Sequence, residues 1–247
     1  MPALLAEGTL YFNRLDINGI PTGRKKVIGV AQLEIKTNSD IKEQTSKDKG
    51  LYGQVTASIA IPKPVELSLT IQNFDRDSLA MALMGDAATL TVGGGTVTDE
   101  VITAKLGVFV PLLNRNLTSA SVVVTNSLAS TTYVEGTDYE VNYALGNIMA
   151  KVGGSITADQ SLKVDYAHGA IDGWKVSGGT VPQIKGEIVL DGRNLDDGKT
   201  LVITVDNALL TSESGIDFMS DKFVEFKFKG RANLVAGKTS AFTVEYM

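Results

Sequence analysis

Tyr52-Gly53-Gln54-Val55-Thr56-Ala57-Ser58-Ile59-Ala60-Ile61 and, beyond Pro62-Lys63-Pro64, Val65-Glu66-Leu67-Ser68-Leu69-Thr70-Ile71-Gln72 carry the clearest pattern in the chain. Gln54, Thr56 and Ser58 alternate with Val55, Ala57 and Ile59. After the Ile61-Pro62-Lys63-Pro64 corner, Glu66, Ser68, Thr70 and Gln72 alternate with Val65, Leu67, Leu69 and Ile71. A period of two belongs to strands, whose successive side chains point to opposite faces. The two arms are therefore predicted as one long hairpin with one buried and one wet face. Burial is expected for Val55, Ile59, Val65, Leu67, Leu69 and Ile71. The wet side of these arms holds hydroxyls, amides and one carboxylate, with few long charged side chains.

Just upstream, residues 37–50 are almost wholly polar, with Ile41 the one large apolar residue. So long a polar connection inside a domain is usually functional or disordered. It is expected to be a loop, disordered in the free subunit, that orders against a neighbouring copy. Gly8 to Ile17 reads as a strand ending at the tight-turn pair Asn18-Gly19, and Val27 to Lys36 reads as a second. Arg24, Lys25 and Lys26 between them are read as a solvated turn, because no aromatic flanks them as a nucleic-acid site would require.

Downstream, Phe74-Asp75-Arg76-Asp77-Ser78 opens the one convincing helix. Asn73 or Asp75 can cap it, and Gly85 can end it. Gly93-Gly94-Gly95 is read as a seam rather than a phosphate loop, since no Lys and no helix follows it. Short strands are expected at 101–106, 108–112, 120–126, 139–143 and 161–166, spaced as in a sandwich. Longer ones follow at 184–190, 201–205, 223–229 and 240–246. The predicted organisation is a core domain of 1–97 and 173–247, interrupted by an inserted β domain of 98–172. The fold class is mainly β, a sandwich or barrel with one flanking helix.

Composition narrows the function. The 247 residues are 43% hydrophobic and 21% charged, ordinary for a folded protein. With no cysteine and a single histidine, His168, thiolate chemistry and multi-histidine metal sites are excluded. The formal net charge of −5 argues against tight nucleic-acid binding. Met1 to Glu7 has neither a basic start nor a long apolar run, so no signal peptide is expected. No run approaches the length of a membrane-spanning helix. Asp191 to Lys199 lacks the spacing of a calcium loop and is read as a hairpin turn. His168 is read as a surface residue at a strand end, and Trp174 as a plug between modules. No nucleophile and base combination is present, so no enzymatic activity and no cofactor are expected. Two other readings stand beside a structural role. A glycan-binding or adhesive β module would show exposed aromatic platforms. A hydrolase would need a convergent polar cleft.

Several segments together resemble the major tail tube protein of long-tailed bacteriophages with non-contractile tails. They are the polar loop Asn38 to Gly50 leading into Tyr52 to Gln72, the helix at Phe74 to Leu79, and Gly186 to Asn194 with Gly198-Lys199. The ending from Phe223 to Tyr246 adds to them. Tyr133, Gly136, Asp138-Tyr139, Gly146-Asn147 and Val164-Asp165-Tyr166 are similar to a β insertion found in some of these proteins. The resemblance implies rings of six subunits stacked into a hollow tube in the virion tail, assembled in the host cytoplasm. It implies an outward-facing insertion and no membrane contact. It also implies tail terminator, tape-measure and distal-tail-type partners, with double-stranded DNA passing through transiently. In that frame Gln54, Thr56, Ser58, Glu66, Ser68, Thr70 and Gln72 would face the lumen. Asp40, Lys42, Glu43, Lys47, Asp48 and Lys49 would lie between rings.

Overall fold

The computed structural model describes residues 3–16 and 20–247 and is mainly β, with one helix. The expected turn at Asn18-Gly19 lies outside the described residues. Two compact units emerge, one of residues 1–88 with 176–247 and one of 89–175. The divisions thus fall at 88/89 and 175/176, where the sequence placed them at 97/98 and 172/173.

Unit 1 begins with β1 (Ala6–Leu15), β2 (Pro21–Val27), β3 (Val30–Lys36), β4 (Ser39–Thr45), β5 (Val55–Pro62) and β6 (Val65–Ile71). The helix α1 (Arg76–Ala82) follows, and β7 (Asp86–Val92) runs across the boundary into unit 2. Unit 2 holds β8 (Gly95–Thr103), β9 (Phe109–Pro111), β10 (Val123–Asn126), β11 (Thr132–Tyr133), β12 (Tyr139–Asn142), β13 (Asn147–Ala150) and β14 (Ser161–His168). The chain returns through β15 (Ile171–Ser177), which pairs with β7, into β16 (Ile184–Asn194), β17 (Thr200–Ser212), β18 (Phe226–Ala232) and β19 (Phe242–Tyr246).

Unit 1 is organised by one eight-stranded antiparallel sheet, ordered β2-β1-β16-β17-β18-β6-β3, with β19 also on β17. It is open, with β2 and β3 at its two ends. Alternation in β6 becomes burial here. Leu67, Leu69 and Ile71 are buried against Phe226, Phe228, Ile188 and Leu210, while Glu66 points away. Each such side chain contributes roughly 1.5–3 kcal/mol of hydrophobic stabilisation. Gly230 is required for this pairing, since a Cβ there would lie 1.8 Å from the Leu209 carbonyl oxygen. Opposite Glu187, β17 carries two residues, Asp206 and Asn207, a bulge that separates its two halves. Leu201–Val205 then pairs with β19 and Ala208–Ser212 with β18.

The helix docks Leu79, Ala80, Met81 and Ala82 into the core. Asp75 is its N-cap, accepting hydrogen bonds from the Asp77 and Ser78 amides at 2.9 and 2.8 Å. Leu83 is the C-cap, and Met84 rather than Gly85 takes the left-handed turn (φ 50°). Gly85 serves close packing, because a Cβ there would meet the Ser177 carbonyl. The strand expected across 27–36 is broken at Gly29, whose φ of 71° turns β2 into β3.

Unit 2 is a small two-sheet structure, β11-β10-β14-β8 and β12-β13-β9, around its own core. Val124, Leu162, Val164 and Tyr166 from the first sheet pack with Tyr139 and Ile148 from the second. The Tyr139 hydroxyl donates to the Val122 carbonyl at 3.2 Å, and burial pushes its pKa up to about 12.

Candidate assembly surfaces

The expected hairpin of Tyr52–Ile61 with Val65–Ile71 does not form. β5 pairs with β4, and β6 pairs with β3 and β18. The long hairpin runs instead from 30–45 to 55–71. The Lys63 amide donates to the Asn38 carbonyl at 2.8 Å and keeps the two arms joined past Pro62. Residues 37–50 are therefore a strand and an ordered tip, not a disordered loop. Asp40, Lys42 and Glu43 lie in β4, and Lys47, Asp48 and Lys49 lie in the tip. The tip is fastened by Ser46 amide to Gln54 carbonyl and Gly53 amide to Ser46 carbonyl bonds, with the buried Ser46 hydroxyl bonded to Asp48. Strand pairing satisfied these backbone groups without any buried side-chain face, so no periodicity marked β4.

The ribbon of β4 and β5 is wet on both faces. Register puts Val55, Ala57, Ile59 and Ile61 on one side beside Gln44, Lys42 and Asp40. All eight residues of β5 are exposed. Val55 at 51% and Ile59 at 67% contradict their expected burial. Alternation identified the strand correctly but not what covers it.

The residues expected to face a lumen divide into four places. Glu66, Ser68 and Thr70 share the face of the main sheet turned away from the core. Thr56 and Ser58 stand on the ribbon, where the Thr56 hydroxyl donates to the Gln44 carbonyl. Gln54 is in the tip, and Gln72 follows β6 and donates to Glu225 at 2.9 Å. Long charges are scarce on β6 but not on its neighbours. Arg231, Lys229 and Lys227 of β18 stand opposite Glu66, Ser68 and Thr70, and Lys36, Glu34 and Gln32 of β3 stand on the other side. Lys227 pairs with Glu225 and Lys229 with Glu213. The face thus mixes Lys36, Lys227, Lys229 and Arg231 with Glu34, Glu66, Glu213 and Glu225, and its charges balance.

The basic trio is not a solvated turn. Arg24, Lys25 and Lys26 lie in β2, opposite Asn13, Phe12 and Tyr11. Arg24 forms a two-point pair with Glu187 at 2.7 and 3.0 Å. That hydrogen bonding lowers the Glu187 carboxyl below its usual range. Lys25 and Arg76 both bond Asp77. Partial burial opposes its charge, but these bonds hold its carboxyl low. A groove of about 990 Å³ lies here, lined in part by Phe12, Met81, Val181 and Pro182. Of the cations lining it, Lys25 and Arg76 are matched by Asp77, and Arg14 lies 3.3 Å from Asp86.

Residues 195–199 join β16 to β17, whereas Asp191 to Asn194, expected in the turn, continue β16 because they pair with β1 and β17. The buried Asn194 side chain donates to the Ala3 carbonyl and accepts from the Leu5 amide, tying down the N-terminal segment. His168 ends β14, as expected, and is half-buried, with its Nδ1 enclosed and without a hydrogen-bond partner. Trp174 lies on β15 and is 40% exposed. Among the described residues no cluster of three metal-ligating side chains occurs, and no helix is long and apolar enough to cross a membrane.

One surface was missed in the sequence. The expected strand 223–229 begins only at Phe226, and residues 213–225 form a connection that exposes Phe218, Met219 and Phe223. Met219 is 93% exposed and Phe223 fully so. Three large apolar residues among Asp217, Ser220, Asp221 and Lys222 were the available signal.

Residues 3–247 match the family described as "Protein of unknown function UCP028589". The chain belongs to this family. The match spans both units. No curated protein matches the chain.

Proposed function

We propose that this family member is the repeating subunit of a tube, a tail-tube protein whose rings stack into a conduit for double-stranded DNA. The observation that carries this reading is the β4–β5 ribbon, an eight-residue strand with Val55, Ile59 and Ile61 and no buried residue. Evolving apolar residues onto an exposed ribbon is costly unless another surface covers them. Two further features fit a repeating subunit. The main sheet is open at β2 and β3, and these different edges can pair between neighbours to extend the sheet around a ring. The balanced polar face bearing Glu66, Ser68 and Thr70 suits a channel wall. Cations matched by nearby carboxylates offer phosphate little net attraction, so DNA is not held in passage.

The test is negative-stain electron microscopy of the purified protein across a concentration series, with light scattering on the same samples. Hollow tubes or six-membered rings are the expected result. A protein that stays monomeric up to roughly millimolar concentration, where even weak association is populated, refutes the proposal.

A further inference from the structure

The sheet has two dissimilar ends, and the pairing register says what each carries. Ile71 of β6 stands beside Phe226 of β18 and Val30 of β3. At that end emerge the turn with Ile28, the segment with Phe74, and the 213–225 connection with Phe218, Met219 and Phe223. All five of these apolar side chains are more than half exposed. Val65 and Glu66 mark the opposite end, beside Ala232 of β18 and Lys36 of β3. From there the β4–β5 ribbon departs, exposing Val55, Ile59 and Ile61 on one face, Leu51 and Tyr52 at the tip, and Ile41 alone on the other face. Unit 1 therefore carries one apolar surface at each end of the same strands.

The charges differ as well. Within residues 213–225, Glu213 and Glu225 are paired with Lys229 and Lys227, which leaves Asp217 and Asp221 against Lys222, a net of −1. Residues 39–63 contain Lys42, Lys47, Lys49 and Lys63 against Asp40, Glu43 and Asp48, a net of +1. Neither surface is self-complementary in sign, but the two complement each other. An isologous contact would place like against like, whereas a heterologous contact brings the ribbon to the acidic end and leaves a free surface on each side.

We infer that the ribbon of one subunit docks on the Phe74, Phe218, Met219 and Phe223 end of a second copy, and that this head-to-tail contact is what stacks the rings. The inference rests on the tube reading and supplies its axial contact. Ring closure uses the sheet edges β2 and β3, so the lateral and axial contacts occupy different residues. The tip lysines Lys47 and Lys49 then approach Asp217 and Asp221, and Tyr52 lies against the apolar end.

The chain has no cysteine, so introduced thiols are unique. The experiment mixes purified Tyr52→Cys and Met219→Cys full-length proteins, lets them assemble, and treats them with a flexible bismaleimide that tolerates a register error of a residue or two. The expected product is a mixed covalent dimer, absent from each variant alone, and a ladder of oligomers from the double variant. In parallel, Met219→Asp/Phe223→Asp should still form rings but raise the concentration needed for elongation by about ten-fold or more, the effect of losing one well-packed apolar anchor. Both positions are exposed, so the fold should survive, which circular dichroism checks. Cross-linking of Tyr52→Cys to itself, or tubes that form from Met219→Asp/Phe223→Asp at the parental concentration, would overturn the docking while leaving the tube reading intact. Absence of any rings or tubes from the parental protein would overturn both.

Discussion

Ile59 and Leu69 sit ten residues apart on consecutive strands of the same hairpin arm, and their truncation to alanine should have very different outcomes. Leu69 is 1% exposed and stands between Leu33 and Phe228 in the register. Leu69→Ala removes three buried carbons' worth of contact and leaves a cavity, for about 2–5 kcal/mol. In a unit of this size that lowers the melting temperature by roughly 4–20 °C, at about 2–4 °C per kcal/mol. Ile59 is 67% exposed. Even if its covered third contributed in proportion, Ile59→Ala would cost the isolated subunit only about 0.5–1 kcal/mol, or roughly 1–4 °C. The assay is thermal unfolding followed by circular dichroism, first at a concentration where light scattering reports monomer and then under assembly conditions. Assembly adds stability that depends on concentration, so the Ile59→Ala deficit should grow there while the Leu69→Ala deficit is already present in the monomer. An Ile59→Ala monomer as destabilised as Leu69→Ala would show that the ribbon packs on its own chain, and the reasoning behind the proposed function would fail.

Two further outcomes follow from local geometry. Tyr139→Phe should cost unit 2 about 1 kcal/mol through the lost bond to the Val122 carbonyl. Because the folded-state pKa of Tyr139 is raised to about 12, its contribution is complete below about pH 10 and declines as pH rises through 12. Urea unfolding at pH 7, 9 and 11 should therefore show a smaller alkaline loss in Tyr139→Phe than in the parent, and equal losses would count against this assignment. Gly230→Ala should destabilise unit 1 by more than 1 kcal/mol, since its Cβ would sit 1.8 Å from the Leu209 carbonyl oxygen and force β17 and β18 apart. A melting temperature unchanged from the parent would mean that the two strands pair differently.

The β-rich class and the alternating core of β6 were legible because burial on one face imposes period two. The same rule misassigned β5. Alternation of residue type in Val55–Ile61 is what a buried face requires, but the partner that would bury it is not in the same chain. β4 escaped notice for the converse reason, since Ser39–Thr45 pairs through its backbone and needs no apolar side chain. Arg24–Lys26 looked like a solvated turn because each cation, taken alone, favours water. Glu187, more than 160 residues away, makes Arg24 a partnered strand residue. Long-range acids cannot be assigned to a basic trio from one sequence. The helix start was readable from Asp75, whereas the end was not. Gly85 was the natural stop, yet the strain of a positive φ was placed on Met84 so that Gly85 could lie against Ser177.

The sheet order also sets a schedule for synthesis. β6 pairs with β18, and roughly 150 residues of chain separate them, including all of unit 2. At about 5–20 residues per second, β18 leaves the ribosome roughly 8–30 s after β6. Unit 2 is continuous in sequence and has its own core, so it can fold during that wait. β3 and β6, like β1 and β2, cannot gain the central strands β16–β18 until translation is nearly complete. On the reading proposed above, the order of the strands alone would keep the subunit from polymerising while it is still attached to the ribosome.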